Sequence, residues 1–405
     1  MEIYLVGGAV RDKLLGKPGQ DNDWVVIGST PEEMEANNFK AVGKDFPVFL
    51  HPETKEEYAL ARTERKAGKG YKGFTFHTST DITLEEDLAR RDLTINAIAE
   101  DHSGKLIDPF NGKRDIEDKI LRHISPAFVE DPLRVLRVAR FAARFGFRIA
   151  PETMTLMNEI SESGELETLV PDRVWNELEQ AMGETYPSRF ILALRACHAL
   201  SILFPEIEQL FGIPQPEKHH PEIDTGIHTL MSLNQASRLS HDPQIRFATL
   251  VHDLGKGTTP KEKLPAHHGH EERGVKLIEK FCKRYRAPKQ FQELAMQVSR
   301  HHLTCHRIEE MRAETILEKL ESMDAFRRPE RFKKFLICCE ADARGRTSFE
   351  DRSYPQADYF KQSLDAANEI NTENLRQQGL EGEDMAEAIR NERIKLISAA
   401  LATKE

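Results

Sequence analysis

Two aspartates one residue apart, Asp21 and Asp23, stand where an acidic turn gives way to the apolar run Trp24-Val25-Val26-Ile27. At the start of a strand, alternation directs both carboxylates to one face, within reach of a shared hard cation such as Mg²⁺. Taken alone, the pair also suits an ordinary acidic turn. Upstream, Gly7-Gly8 lead into Val10-Arg11-Asp12, a turn before a helix whose free N–H groups favour phosphate, although a glycine pair equally serves plain turn geometry. Arg134, Arg137, Arg140, Arg144 and Arg148 then recur with no acid between them. At ~100° per residue they fall on one helical stripe, which serves either solvent or phosphates. Histidine is just as uneven: eleven of sixteen lie between His219 and His306, among them the adjacent pair His252-Asp253. Imidazole with carboxylate suits Ni²⁺, Mn²⁺ or Co²⁺ better than Mg²⁺ alone, and such a metal activates water.

These groups need elements to hold them. Ile3 to Val6 predicts a strand, Val10 to Leu15 a helix, Asp23 to Ile27 a second strand, and Thr30 a cap on a helix with Pro31 at its first position. Phe46 to Leu50 and Tyr58 to Ala61 predict further strands, and the glycines and lysines between Lys66 and Gly73 a basic loop. Helical spacing runs from Leu84 to about Ala99, Lys105 to Phe110 predicts one more strand, and beyond Asp115 the pattern is almost wholly helical. Pro214 to Pro221 reads as a linker, and the charged residues after Tyr354 as a solvated helical tail.

At 405 residues the chain exceeds one hydrophobic core and calls for two to four domains. No apolar stretch approaches the ~20 residues that span a bilayer, and the N-terminus lacks the zones of a secretion signal, so a cytoplasmic protein without a membrane partner is expected. Five cysteines without C-x-x-C spacing predict neither disulfides nor a thiolate zinc site. The net charge of −10 argues against a surface that coats nucleic acid throughout and leaves room for a local basic track.

Leu5-Val6-Gly7-Gly8-Ala9-Val10-Arg11-Asp12 and Asp21-Asn22-Asp23-Trp24 together resemble the nucleotidyltransferase head of the DNA polymerase β superfamily, in its class II tRNA nucleotidyltransferases and bacterial poly(A) polymerases. Arg90-Arg91-Asp92-Leu93-Thr94-Ile95-Asn96-Ala97 is similar to the family's ribose and triphosphate motif, and Glu130-Asp131-Pro132-Leu133-Arg134 to its nucleotide-base motif. The resemblance implies that Asp21 and Asp23 are catalytic and hold Mg²⁺, and that Gly8, Arg11, Arg91, Asp131, Arg134, Arg137 and Arg140 contact the nucleotide. Arg144 and Arg148 face either RNA or solvent. The base motif has a direct physical content, because Asp131 only accepts hydrogen bonds and Arg134 only donates. Cytosine and adenine each offer an amino donor beside a ring acceptor, whereas uracil and guanine offer a carbonyl there. One Asp-Arg pair can thus admit CTP and ATP and reject UTP and GTP. Glu130 and Asp131 also suit a helix's first turn, near its positive dipole end. A third carboxylate is usual in this superfamily, with Glu57 and Glu56 as the candidates.

In the second half, His228, His252-Asp253 and Asp342 resemble the ligands of the HD superfamily of metal-dependent phosphohydrolases, with His270 and His302 as further candidates. The whole pattern resembles bacterial CCA-adding enzymes that carry an HD domain. That resemblance implies an α+β chain: a polymerase-β-like head with a mixed sheet over 1–125, an all-α neck over 126–213, an HD body over 214–345 and a helical tail over 346–405. It implies untemplated addition of C, C and A to tRNA from CTP and ATP with Mg²⁺, phosphohydrolysis with Ni²⁺ or another transition metal, and a monomer or homodimer. A poly(A) polymerase is the nearest alternative, although Val42 to Phe49 departs from the more basic stretch found there. A hydrolase with a merely nucleotide-binding N-terminus is another, and the intact Asp21-x-Asp23 speaks against it.

Overall fold

The computed structural model describes residues 1–17, 22–42, 48–66, 74–77, 79–218 and 220–402. Asp21, Gly43 to Pro47, the glycines after Lys66 and His219 lie outside the described residues. Contacts divide the chain into two compact units, Met1–Leu203 and Phe204–Glu405.

The first unit opens with β1 (Glu2–Val6), α1 (Gly8–Leu14), β2 (Asp23–Ile27), α2 (Pro31–Ala36), β3 (Lys40–Val42), β4 (Val48–Leu50) and β5 (Glu57–Leu60). β6 (Thr63–Lys66) and β7 (Phe74–His77) pair as a separate antiparallel ribbon. After α3 (Leu84–Ala89), the strands β8 (Ala99–Glu100) and β9 (Leu106–Ile107) complete a seven-stranded sheet in the order β3-β4-β5-β2-β1-β8-β9. β2 and β5 run parallel and their neighbours antiparallel, so the sheet is mixed. Alternation sends Val6, Val25 and Ala61 to one core and Val26, Tyr58 and Leu60 to the other. Thr30 caps α2 in a reciprocal capping box with Glu33, as its position before Pro31 predicts.

The helix expected from Leu84 to Ala99 stops at Ala89. Asp92 ends it by local competition: its Oδ1 accepts from the Leu93 N–H at 2.9 Å and from Asn96 Nδ2 at 2.8 Å. The Thr94 N–H donates instead to the Arg122 carbonyl, and Thr94–Asn96 forms a 3₁₀ turn. The strand expected over Lys105 to Phe110 is only the two residues of β9. Next come α4 (Gly112–Glu117), β10 (Ile120–Leu121), α5 (Leu133–Phe145) and β11 (Arg148–Ile149). β10 and β11 pair in parallel inside a stretch expected to be almost wholly helical. Gly146, at φ 70°, caps α5 and turns the chain out of it, so Arg148 leaves the arginine stripe for an exposed strand position. The unit closes with α6 (Pro151–Glu162), α7 (Pro171–Gly183), α8 (Ser188–Ala196) and α9 (Ala199–Leu203).

Among its described residues the second unit has helices and no strand: α10 (Pro205–Glu208), α11 (Thr225–Leu239), α12 (Pro243–Val251), α13 (His270–Tyr285), α14 (Lys289–His306), α15 (Ala313–Ser322), α16 (Pro329–Arg344), α17 (Pro355–Asn368), α18 (Thr372–Gln377) and α19 (Gly382–Ala402). The segment from Pro214 is no linker. The Gln215 N–H donates to the Ile223 carbonyl at 2.7 Å, Pro214 bridges Asp224, and the Gln215 side chain is buried. Nor is the chain after Tyr354 a solvated tail at its outset, because α17 buries Phe360, Leu364 and Ala367. Phe360 meets Phe332 edge to face at 5.1 Å. All five cysteines are buried and unpaired. No described helix is long and apolar enough to cross a membrane.

Two candidate active sites

In the first unit one cavity of about 430 Å³ gathers Gly7, Gly8, Arg11, Asp23, Asp131 and the arginines at 90, 91, 134, 137, 140 and 144. Seven arginines against Asp23, Asp92 and Asp131 make it strongly positive, a match for a triphosphate. Carboxylates behind the guanidinium groups aim them. Arg137 Nε lies 2.8 Å from Asp92 Oδ2, Arg140 Nε 2.6 Å from Glu177 Oε2, and Arg91 Nη2 3.2 Å from Asp87 Oδ2. Asp12 holds both Arg11 and Arg144, each at 2.8 Å. Arg11 also donates to Asn96 Oδ1 and lies 4.8 Å over the Phe145 ring. Burial would raise the Asp92 carboxyl, but Arg137 and Asn96 outweigh it and hold it below the usual carboxylate range. Gly7 sits at φ 68°, a conformation that favours glycine, and a Cβ there would come within 2.6 Å of Arg91 Nη1 and displace that guanidinium.

Arg134 is fixed differently, by carbonyls: Nη1 donates to Ala127 at 3.0 Å and Nη2 to Arg90 at 2.7 Å. Asp131 Oδ1 accepts from the Leu133 N–H at 3.0 Å, which makes Asp131 a helix-end residue as well as a wall of the cavity. The two readings of the base motif are therefore compatible. Asp23 is exposed at the start of β2 and pairs in register with Glu57 of the parallel β5. Registered neighbours on parallel strands share a face, so Glu57 stands beside Asp23. Glu56 points to the other face, accepting from Asn22 Nδ2 at 2.7 Å and Trp24 Nε1 at 3.2 Å.

In the second unit five helices bring six ligand-type side chains together: His228 from α11, His252 and Asp253 at the end of α12, His270 from α13, His302 from α14 and Asp342 from α16. Backbone carbonyls engage the Nδ1 atoms of His252 (Thr249, 2.7 Å), His270 (His267, 2.9 Å), His302 (Ser299, 3.1 Å) and His228 (Gly345, 3.0 Å). Those contacts hold the four rings with Nε2 turned inward, as a metal ligand requires. Asp253 divides its oxygens. Oδ2 lies 3.2 Å from His252 Nε2 and 4.0 Å from His228 Nε2, whereas Oδ1 lies 3.3 Å from His270 Nε2 and 3.7 Å from His302 Nε2. Asp342 Oδ1 is 2.9 Å from His228 Nε2.

His252 Nε2 and both Asp253 oxygens are buried without a partner in hydrogen-bond geometry, although Lys256 Nζ comes within 2.6 Å of Oδ2. Orphaned nitrogen and oxygen donors in one buried cluster fit a transition metal. Burial pushes His302 down to about 3, which keeps its imidazole neutral. It would raise Asp253 and Asp342, but His252 with Lys256, and His306 with His252, outweigh it and hold both far below the usual range. Gly255 lets this loop touch α13, for a Cβ there would fall 1.9 Å from the His270 carbonyl.

Residues 3–122 match the family described as Poly A polymerase head domain, residues 146–211 that of a probable RNA and SrmB-binding site of polymerase A, and residues 225–328 the HD domain. Multifunctional CCA proteins of Nitrosococcus oceani and Thioalkalivibrio sulfidiphilus are each 58% identical to this chain, covering 100% and 98% of both partners. The chain belongs to the multifunctional CCA protein family. In fold it is also similar to a CCA-adding enzyme solved with CTP (TM-score 0.65, 23% identity, 98% of this chain and 87% of that one) and to the Thermotoga maritima enzyme solved with tRNA (TM-score 0.65, 21% identity, 100% and 92%).

Within this family member, the structure gathers Gly8, Arg11, Asp23, Arg91, Asp131, Arg134, Arg137 and Arg140 at one cavity, and His228, His252, Asp253 and Asp342 at one cluster. Arg148 is not brought there, and Asp21 lies outside the described residues. Asp342 falls beyond the matched HD segment, yet α16 returns it to the cluster. Sequence reasoning passed over Phe141, the packing partner of Arg140 at 4.7 Å, and His306, whose Nε2 lies 2.7 Å from Asp342 Oδ2. The spacing of His302 and His306, four apart on one helix, was the available signal for the second.

Proposed function

We propose that this chain adds C, C and A to the 3′ end of tRNA from CTP and ATP without a nucleic-acid template, and that its second unit hydrolyses phosphate esters, 2′,3′-cyclic phosphates among them. The observation that carries the first activity is the arginine-lined cavity with Asp131 and Arg134 in its wall, in a chain alike over its full length to multifunctional CCA proteins. Asp23 with Asp21, and Glu57 beside it, offers hard oxygen donors for Mg²⁺. When bound, Mg²⁺ supplies positive charge that favours loss of the RNA hydroxyl proton and departure of pyrophosphate. The arginines bind the triphosphate, and Asp131 and Arg134 meet the base edge with an acceptor and a donor. In the second unit His228, His252, Asp253 and Asp342 would hold Ni²⁺ or another transition metal, whose chemistry there is the activation of water. Asp253 Oδ1 with His270 and His302 offers a second set of ligands.

The test is tRNA lacking its CCA end, incubated with Mg²⁺ and each nucleotide triphosphate singly and together, with products sized on a sequencing gel. Growth by three residues with CTP plus ATP is expected. Long tails from ATP alone would replace this reading with poly(A) polymerase.

A further inference from the structure

A buried carboxylate stands behind the histidine cluster, on the far side of His228 from the ligand atoms. The side chain of Glu222, in the segment ahead of α11, is 1% exposed, and its ion-pair partners among the described residues are both histidines. Oε1 lies 2.9 Å from His228 Nδ1 and 3.0 Å from His220 Nδ1, and Oε2 accepts from the Thr347 N–H at 3.4 Å. A carboxylate accepts hydrogen bonds and cannot donate them, and burying one away from a permanent cation is costly. Its retention calls for a positive charge nearby, and the cluster is where one would sit.

His228 connects the two. Its Nδ1 edge faces Glu222 and the Gly345 carbonyl, the latter at 3.0 Å, while Nε2, across the ring, lies 2.9 Å from Asp342 Oδ1. An edge closed by two acceptors leaves Nε2 as the ligating atom. A cation at Nε2 draws electron density from the ring, which strengthens the attraction of the Nδ1 edge for a carboxylate more than for a neutral carbonyl. The carboxylate in turn makes the imidazole a better electron donor to the ion. Through the Thr347 N–H, Glu222 also touches the segment that follows α16, the helix bearing Asp342. It therefore stands between the chain segments that deliver two of the four ligands.

We propose that Glu222 is a positioning residue for the metal of the second unit, holding the His228 ring and offsetting the charge of the ion through it. The proposal rests on the reading of His228, His252, Asp253 and Asp342 as metal ligands.

Nickel binding by the full-length protein tests it, measured by competition with a chelator of known affinity and by the ions retained after dialysis. Glu222→Gln keeps the shape and an accepting oxygen but removes the charge. Glu222→Leu removes both. Kd for Ni²⁺ should rise about 10-fold in the first and toward about 100-fold in the second, the range for losing the outer partner of a ligating histidine. The number of ions bound at saturation should match the unmodified protein, because Glu222 is not itself a ligand. Thermal melts separate this from a packing role. The rise in Tm that nickel produces should shrink in both variants, whereas lost packing alone would lower the metal-free Tm and leave that rise unchanged. CCA addition in Mg²⁺ should not change. Should Glu222→Leu misfold, the nearly isosteric Glu222→Gln carries the comparison. An unchanged Kd in Glu222→Gln would overturn the proposal, and so would loss of a whole bound ion, which would make Glu222 a ligand. Unmodified protein that binds no nickel, cobalt or manganese would instead overturn the metal site itself, and the role of Glu222 would fall with it.

Discussion

Arg134 keeps its position through two backbone carbonyls, so its guanidinium is oriented without a carboxylate to neutralise it. The remaining N–H groups can meet a base edge. Arg134→Ala should erode discrimination among the four triphosphates more than triphosphate affinity, because the phosphates have six other arginines. Competition with all four nucleotides checks this, and an unchanged preference for CTP and ATP would place base reading elsewhere. The sheet register favours Glu57 over Glu56 as the third carboxylate we propose. Glu57→Gln should lower the rate of addition at least about 10-fold with little change in stability, since Glu57 is exposed beside Asp23. Glu56→Gln should act on rate far less, because Glu56 holds Asn22 and Trp24 on the opposite face. Single-turnover rates for both variants, with thermal melts alongside, separate the two roles. Equal rate losses would refute the assignment.

Between residue and fold, the legible elements were those whose own side chains fix them. Thr30 and Pro31 announce α2, alternation announces β2, and both lie where the sequence places them. What escaped depended on competition at a distance. Asp92 falls at helical spacing, yet it breaks the helix and holds Arg137, which is 45 positions away. Gly146 likewise removes Arg148 from a stripe whose other four members line the cavity. Asp92 therefore has an energetic role that can be measured. Its carboxyl lies below the ordinary range, so the charged pair stabilises the fold above the unfolded value of ~3.9, and that contribution is lost as pH falls through the lower folded value. Arg137 is one third exposed, and water screens the pair, so Asp92→Asn should cost roughly 1–3 kcal/mol at pH 7. The difference in melting temperature between Asp92→Asn and the unmodified protein should shrink as the pH drops below about 4. A gap that stays constant from pH 7 to pH 3 would show that Asp92 acts by packing alone.

At the scale of the whole chain, the two sets of chemical groups belong to different compact units, with every cavity arginine before Leu203 and every clustered histidine after Phe204. The grouping within each unit was legible where residues matched a family motif, as His228, His252, Asp253 and Asp342 do despite their separation in sequence. It was not legible for Glu222, which belongs to no motif and whose Oε1 lies 2.9 Å from His228 Nδ1. Division of labour gives the last prediction. Replacing His252 and Asp253 together by alanine removes the nitrogen and both oxygens that stand orphaned at the cluster's centre. The double variant should lose bound nickel and hydrolysis of 2′,3′-cyclic AMP, while adding CCA to an intact tRNA end at nearly the unmodified rate. Metal content after dialysis gives a reading independent of turnover. Blocked RNA ends supply the sharper contrast, for a 2′,3′-cyclic phosphate leaves no free hydroxyl to extend. Water attack that breaks the P–O3′ bond leaves a 2′-phosphate and frees the 3′-hydroxyl, so the unmodified protein should lengthen such an end in Mg²⁺ plus Ni²⁺, and the double variant should lengthen only the open one. If the variant extends both ends equally well, the two chemistries are not divided between the units as these side chains indicate.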